Sequence, residues 1–164
     1  MDLLDLDADR ALSNLVPLVV AFVIALPIGW DREQRDRSLG LRTFPLVAVA
    51  SCAFALIAER AMPHSADGSS RVLQGIITGI GFLGGGAMLK QGKTVHGSAT
   101  AAAVWTTAAI GVAVARGLLE IALLLGALGF VTLRYMLRLK KVAALPDEDA
   151  RGASQGRADS PEES

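Results

Sequence analysis

Uncharged residues fall in five long runs along the chain, and short clusters of charge separate them. The run between Arg10 and Asp31 has 20 residues, which is about the length that one helical crossing of a bilayer requires. The last run is interrupted by Glu120 and Arg134, whose side chains are expected to lie at the two membrane interfaces. The pattern predicts an all-α, polytopic transmembrane helical bundle with five spans, at about residues 11–30, 43–58, 72–89, 97–115 and 118–138.

The distribution of Lys and Arg predicts the orientation of these spans. The segments 31–42, 90–96 and 134–141 hold ten basic residues, whereas the loops on the other side hold four. Because basic residues resist translocation, the N-terminus is predicted outside and the C-terminus in the cytoplasm. Residues 142–164 contain six acids and no aromatic residue, so they are predicted to form a short, disordered, acidic cytoplasmic tail.

Composition supports a membrane protein and argues against several other classes. Hydrophobic residues make up 52% of the chain and aromatic residues only 5%, and the net charge is zero. A neutral chain has no overall attraction for nucleic acid, so the lipid bilayer is the expected partner and nucleic acid is not. Cys52 is the single cysteine, so no disulfide can form within the chain.

Two glycine patterns resemble nucleotide-binding motifs, and both fail in their context. Gly79, Gly81 and Gly84 have the spacing of a dinucleotide-binding turn, but no acid that could bind a ribose occurs between residues 67 and 120. Residues 87–94 resemble a phosphate-binding loop with alanine at its first glycine position. We therefore expect no nucleotide, no cofactor and no enzymatic activity.

The glycines of the third run are better explained by helix packing. They recur four residues apart, a spacing that lets two helix backbones approach closely in a membrane. The fourth run is the expected partner, because 14 of its 19 residues are Gly, Ala, Ser or Thr. The predicted packing residues are Gly75, Gly79, Gly81, Gly84, Gly85 and Gly86, with Thr100 and Trp105 on the facing helix.

Charged residues follow the first run directly and form the main candidate site. The predicted ionic cluster contains Asp31, Arg32, Glu33 and Arg42. One interpretation is a cytoplasmic anchor whose acids neutralise its own arginines. The alternative is functional: the two carboxylates bind a hard cation such as Mg²⁺ through water, or form an ion-pair latch with Arg42.

Four short motifs, in order, resemble the membrane domain of the MgtC/SapB family. They are GWDRE at residues 29–33, GLRT at 40–43, GIGFLGGG at 79–86, and GSATAAAVW with AIG at 97–111. Asp31 stands where the family usually has glutamate, and Ala99 where members often carry Asn or Thr. Virulence-type members continue into a soluble C-terminal domain, and the tail at residues 142–164 does not resemble it.

The resemblance implies a multi-pass protein of the bacterial inner membrane that is associated with adaptation to low magnesium and, in pathogens, with virulence. It also implies a regulator that contacts other membrane machinery, such as ATP synthase or cation-transporting ATPases. The alternative is a small, oligomeric channel or transporter for magnesium or another cation. No acid lies in the middle of the predicted spans, which favours the regulator, because ion-coupled transporters usually place an ionisable group there.

Overall fold

The computed structural model describes residues 8–35, 40–63, 65–91 and 94–143, and within these ranges it contains five helices and one short hairpin. The all-α fold class is confirmed. In chain order, the elements are α1 Ala8–Arg35, α2 Thr43–Ala61, α3 Ala66–Gly86, β1 Leu89–Gln91, β2 Thr94–His96, α4 Ser98–Ala115 and α5 Leu119–Ala143. Helix α5 includes residues 142 and 143, which the sequence assigned to the tail; the rest of the predicted tail lies outside the described residues.

Helix α4 is the centre of the bundle and contacts each of the other four helices. Its residues are small and apolar on every side, which is typical of a helix buried among others. Ten of its positions are buried, including the polar Thr100 and Thr107. The Thr107 hydroxyl donates to the Ala103 carbonyl at 2.7 Å, so this buried polar group is satisfied within its own helix.

Large apolar side chains cover the outer surface of the bundle. Phe82 is 82% exposed, and leucines of α1 and α5 such as Leu12 and Leu128 are more than half exposed. A soluble protein rarely exposes so much contiguous apolar surface, whereas a bilayer requires it. Among the described residues, three helices are long and apolar enough to cross a membrane: α1, α2 and α4. That α3 and α5 also cross, and the orientation of the bundle, stay predictions.

The segment between α3 and α4 differs from the sequence prediction. Helix α3 begins before the predicted span of residues 72–89, because the Ser65 hydroxyl accepts a hydrogen bond from the Gly68 amide at 2.9 Å and caps its first turn. It ends at Gly86 and is followed by an antiparallel hairpin in which Leu89 lies opposite His96. This hairpin was not predicted from the sequence.

A glycine in the left-handed backbone region joins α4 to α5. Gly117 has φ of 70°, which is favourable only without a side chain. Its amide donates to the Val114 carbonyl at 3.0 Å, and the Leu118 amide donates to the Ala113 carbonyl at 2.9 Å. These two bonds form a Schellman motif, which ends α4 and reverses the chain sharply enough for α5 to pack back against it.

Candidate functional site at the ends of helices α1 and α5

Asp31 lies in the last turns of α1 and is almost completely buried, with 1% of its surface exposed. Its Oδ2 accepts hydrogen bonds from Arg32 Nη2 and Arg35 Nε, both at 2.9 Å. Arg35 Nη2 also donates to Oδ1 at 3.2 Å, so this arginine holds both carboxylate oxygens. Removing a carboxylate from water costs free energy. A buried carboxylate is therefore stable only when charge-assisted hydrogen bonds replace those that it made to water.

A third arginine reaches the same carboxylate from a different helix. Arg134 of α5 places Nη1 3.7 Å from Asp31 Oδ1, and the same nitrogen donates to Gln34 Oε1 at 3.1 Å. The last turns of α1 and the second half of α5, about 100 residues apart in sequence, are therefore joined by an ion pair and a hydrogen bond. We call Asp31, Arg32, Arg35 and Arg134 the arginine cluster.

Glu33 does not join Asp31 in a paired carboxylate site, because its side chain closes a loop instead. Its Oε2 accepts a hydrogen bond from the Leu41 backbone amide at 3.0 Å. Gly40 packs directly on this side chain: a Cβ at Gly40 would lie 2.6 Å from the Glu33 Cα and Cβ. Glu33 therefore holds the start of α2 against the end of α1.

Arg42 is exposed at the N-cap of α2 and pairs with no carboxylate among the described residues. The predicted latch between Arg42 and the acids is therefore wrong. Its place is taken by Arg35 and Arg134, which the sequence analysis did not assign to the site. Arg35 was detectable, because it follows Asp31 by four residues on one helix face. Arg134 was not, because sequence spacing does not reveal which helices are neighbours.

The contacts of Asp31 and Glu33 argue against cation binding at this site. Arginine donors already occupy Asp31, and a backbone amide occupies one oxygen of Glu33. Among the described residues, no group of three or more His, Cys, Asp or Glu side chains could hold a metal ion. The donor set around Asp31 is cationic and therefore suits an anion better than Mg²⁺, which prefers oxygen ligands.

Of the six glycines predicted to pack, only Gly81 and Gly84 lie against α4 in the described structure. A Cβ at Gly84 would lie 3.4 Å from Trp105 Cδ1 and 3.7 Å from Ala101 Cβ, and a Cβ at Gly81 would lie 4.0 Å from Trp105. Trp105 therefore packs over α3, as expected, although 45% of its surface stays exposed.

The other four predicted packing glycines meet no second helix among the described residues: a Cβ at Gly75, Gly79, Gly85 or Gly86 would have no described atom within 4 Å. For these four, the prediction that they pack against α4 is wrong within this chain.

Gly75 and Gly79 instead line an open apolar groove between α2 and α3. The groove has a volume of about 460 Å³, and its walls include Val47 and Phe54 of α2 and Leu83 of α3. Two glycines one turn apart form the floor of a shallow notch in α3. We call this feature the α2/α3 groove.

The nucleotide-like patterns have no nucleotide-binding geometry. Gly79, Gly81 and Gly84 lie inside helix α3 and form no turn between a strand and a helix. Thr94, at the end of the loop-like pattern, begins strand β2 rather than a helix. Gly92 and Lys93 lie outside the described residues.

Apolar helices around a small-residue core, with the buried ion pairs at one end, define a helical membrane protein with a charged edge. Comparison with known families then identifies it more closely: the model of the MgtC family matches residues 18–142, and the chain belongs to this family. The resemblance drawn from the four motifs is confirmed.

Three curated relatives show how far the similarity extends. SrpB of Synechococcus elongatus is 35% identical over 140 residues, covering 78% of this chain and 77% of SrpB. Protein MgtC of Salmonella typhimurium is 40% identical over 98 residues, covering 60% of this chain and 41% of that protein. YhiD of Escherichia coli, whose name proposes a magnesium transporter, is 31% identical over 113 residues, covering 65% of this chain and 53% of YhiD. The chain thus spans about half the length of several of these relatives, and no solved structure matches it significantly.

Proposed function

We propose that this protein regulates magnesium homeostasis in the bacterial inner membrane by binding a transmembrane helix of another membrane protein in the α2/α3 groove. The observation that carries the proposal is the open face of α3. Gly75 and Gly79 have the spacing that brings helices together, and none of the five described helices covers them. A helix from a partner such as ATP synthase or a cation-transporting ATPase would complete this packing.

The link to magnesium rests on relatives rather than on a metal site. The chain belongs to the MgtC family, and YhiD carries a proposed magnesium-transport role in its name. Transport itself requires a group that binds the ion on its path. The two carboxylates of the candidate site, Asp31 and Glu33, are held by arginines and by a backbone amide, which favours regulation over transport.

Filling the groove tests the partner hypothesis. We expect Gly79→Leu to fold normally, because its side chain enters open space, and to lose complementation in a low-magnesium growth assay. Phe54 lines the groove and is 57% exposed, so a photo-crosslinking amino acid can replace it. This residue should capture the partner when Gly79 is present and should fail to capture it in the Gly79→Leu variant.

The matched control for this experiment is Gly86→Leu. Gly86 lies on the same helix and also faces open space, but it does not line the groove. It should therefore support growth and crosslinking as the unmodified protein does. Normal complementation by a folded Gly79→Leu protein would contradict the proposal.

A small, oligomeric channel or transporter for magnesium is the second candidate, and the name of YhiD favours it. Purified protein in liposomes that contain a magnesium-sensitive dye separates the two functions. A regulator should give magnesium entry equal to that of empty liposomes. Entry that rises with the protein-to-lipid ratio would instead support the channel.

A further inference from the structure

We infer that the arginine cluster binds the phosphate of an anionic phospholipid at the membrane edge. The arginine cluster carries a net positive charge. Three guanidinium groups, those of Arg32, Arg35 and Arg134, lie within 4 Å of one carboxylate. Asp31 neutralises one of the three positive charges, so two remain at this point.

The arginine cluster also has hydrogen-bond donors that Asp31 does not use. Each guanidinium has five N–H groups, and Asp31 uses two from Arg35 and one from Arg32. The side chains of Arg35 and Arg134 are 32% and 38% exposed, so part of each guanidinium reaches the surface. Arg32 Nε is buried and has no hydrogen-bond partner within the described structure. Arginines from two helices thus present unused donors side by side, an arrangement that recognises phosphate oxygens in pairs.

Neighbouring aromatic residues place the arginine cluster at the depth of the lipid headgroups. Trp30 precedes Asp31 and is 58% exposed, and Tyr135 follows Arg134 and is 53% exposed. Exposed Trp and Tyr residues mark the membrane interface in helical membrane proteins. Basic pockets between transmembrane helices on the cytoplasmic side bind phosphorylated headgroups. A lipid phosphate at this level is therefore the expected occupant, and a free phosphate ion shares the same chemistry.

Native mass spectrometry of the full chain in detergent, titrated with short-chain phosphatidylglycerol, tests the site. We expect saturable binding of this lipid, and an affinity reduced about tenfold in the Arg134→Gln variant, which loses a charged donor. Arg116→Gln is the matched control. Like Arg134, Arg116 donates a hydrogen bond to a neutral side chain on another helix, that of Ser69. In the described structure it makes no bond to a residue of the arginine cluster. Its affinity for the lipid should stay within about twofold of the unmodified protein.

Four results would overturn the proposal. Absence of saturable binding is the first, and an equal loss in Arg116→Gln is the second, because it would indicate attraction without a site. The third is displacement of the lipid by inorganic phosphate at matching concentration, which would assign the site to the free ion. Arg134→Lys keeps the positive charge opposite Asp31 and so controls for a folding defect. Because lysine lacks the planar guanidinium fork, the affinity of this variant for the lipid should fall about threefold. Unchanged affinity in Arg134→Lys would also overturn the proposal.

Discussion

Replacing Asp31 by alanine is expected to destabilise the folded protein by about 3–5 kcal/mol, the cost of leaving a buried charge without its partner. Arg32 is 5% exposed, and its Nη2 donates to Asp31 Oδ2 at 2.9 Å. Without that carboxylate, Arg32, Arg35 and Arg134 would repel one another at the junction of two helices. The loss should therefore appear as separation of α5 from α1.

Unfolding by SDS in mixed micelles, followed by the far-UV helical signal, measures this effect. Glu59→Ala is the control, because Glu59 is an exposed carboxylate near the end of α2. Its removal should change the free energy of unfolding by no more than about 0.5 kcal/mol. An Asp31→Ala protein as stable as Glu59→Ala would show that the arginines do not depend on this carboxylate.

The structural role of Asp31 changes how magnesium phenotypes are interpreted. A variant in which Asp31 and Glu33 are both neutralised is the direct way to examine the cation-binding hypothesis. Because Asp31 joins α1 to α5 and Glu33 joins α1 to the start of α2, the double change is expected to disturb folding. Poor growth of that variant at low magnesium would therefore not demonstrate a cation site.

The helices could be predicted from sequence because each depends on a local pattern of apolar residues. The Schellman motif at Gly117 and the cap at Ser65 also arise from short-range contacts. The hairpin at residues 89–96 escaped prediction because its three-residue strands are too short to show an alternating pattern. The pattern along the sequence does not show which helices are adjacent in the fold. It shows that Arg134 lies near a membrane edge, but not that Asp31 lies opposite.

The glycines illustrate the same limit. Spacing identifies Gly75 and Gly79 as one face of α3, and the structure leaves that face open. Gly29, the first residue of the GWDRE motif, is tightly enclosed: a Cβ there would lie 3.3 Å from both Leu41 Cα and Pro45 Cδ. Sequence shows where small residues are, whereas only the arrangement of helices shows which of them separate two backbones.

The effect of an added side chain should be largest at Gly111, which separates two helix backbones. A Cβ at Gly111 would lie 3.0 Å from the Ala48 carbonyl carbon and from the Cys52 amide nitrogen, and closer still to the Ala48 oxygen. These are backbone atoms of α2, so they cannot move aside as a flexible side chain would. We expect Gly111→Ala to force α2 away from α4 and to cost about 3 kcal/mol, the upper end of the usual range for overpacking.

Gly79→Ala is the matched substitution, because it adds the same methyl group to a helical glycine that faces open space. Alanine is the better helix former, so Gly79→Ala should raise the free energy of unfolding by up to about 1 kcal/mol. Side-by-side SDS unfolding of the two variants should therefore give shifts of opposite sign. Equal shifts would mean that α2 and α4 do not approach each other at Gly111, and the close packing of the central helix would have to be abandoned.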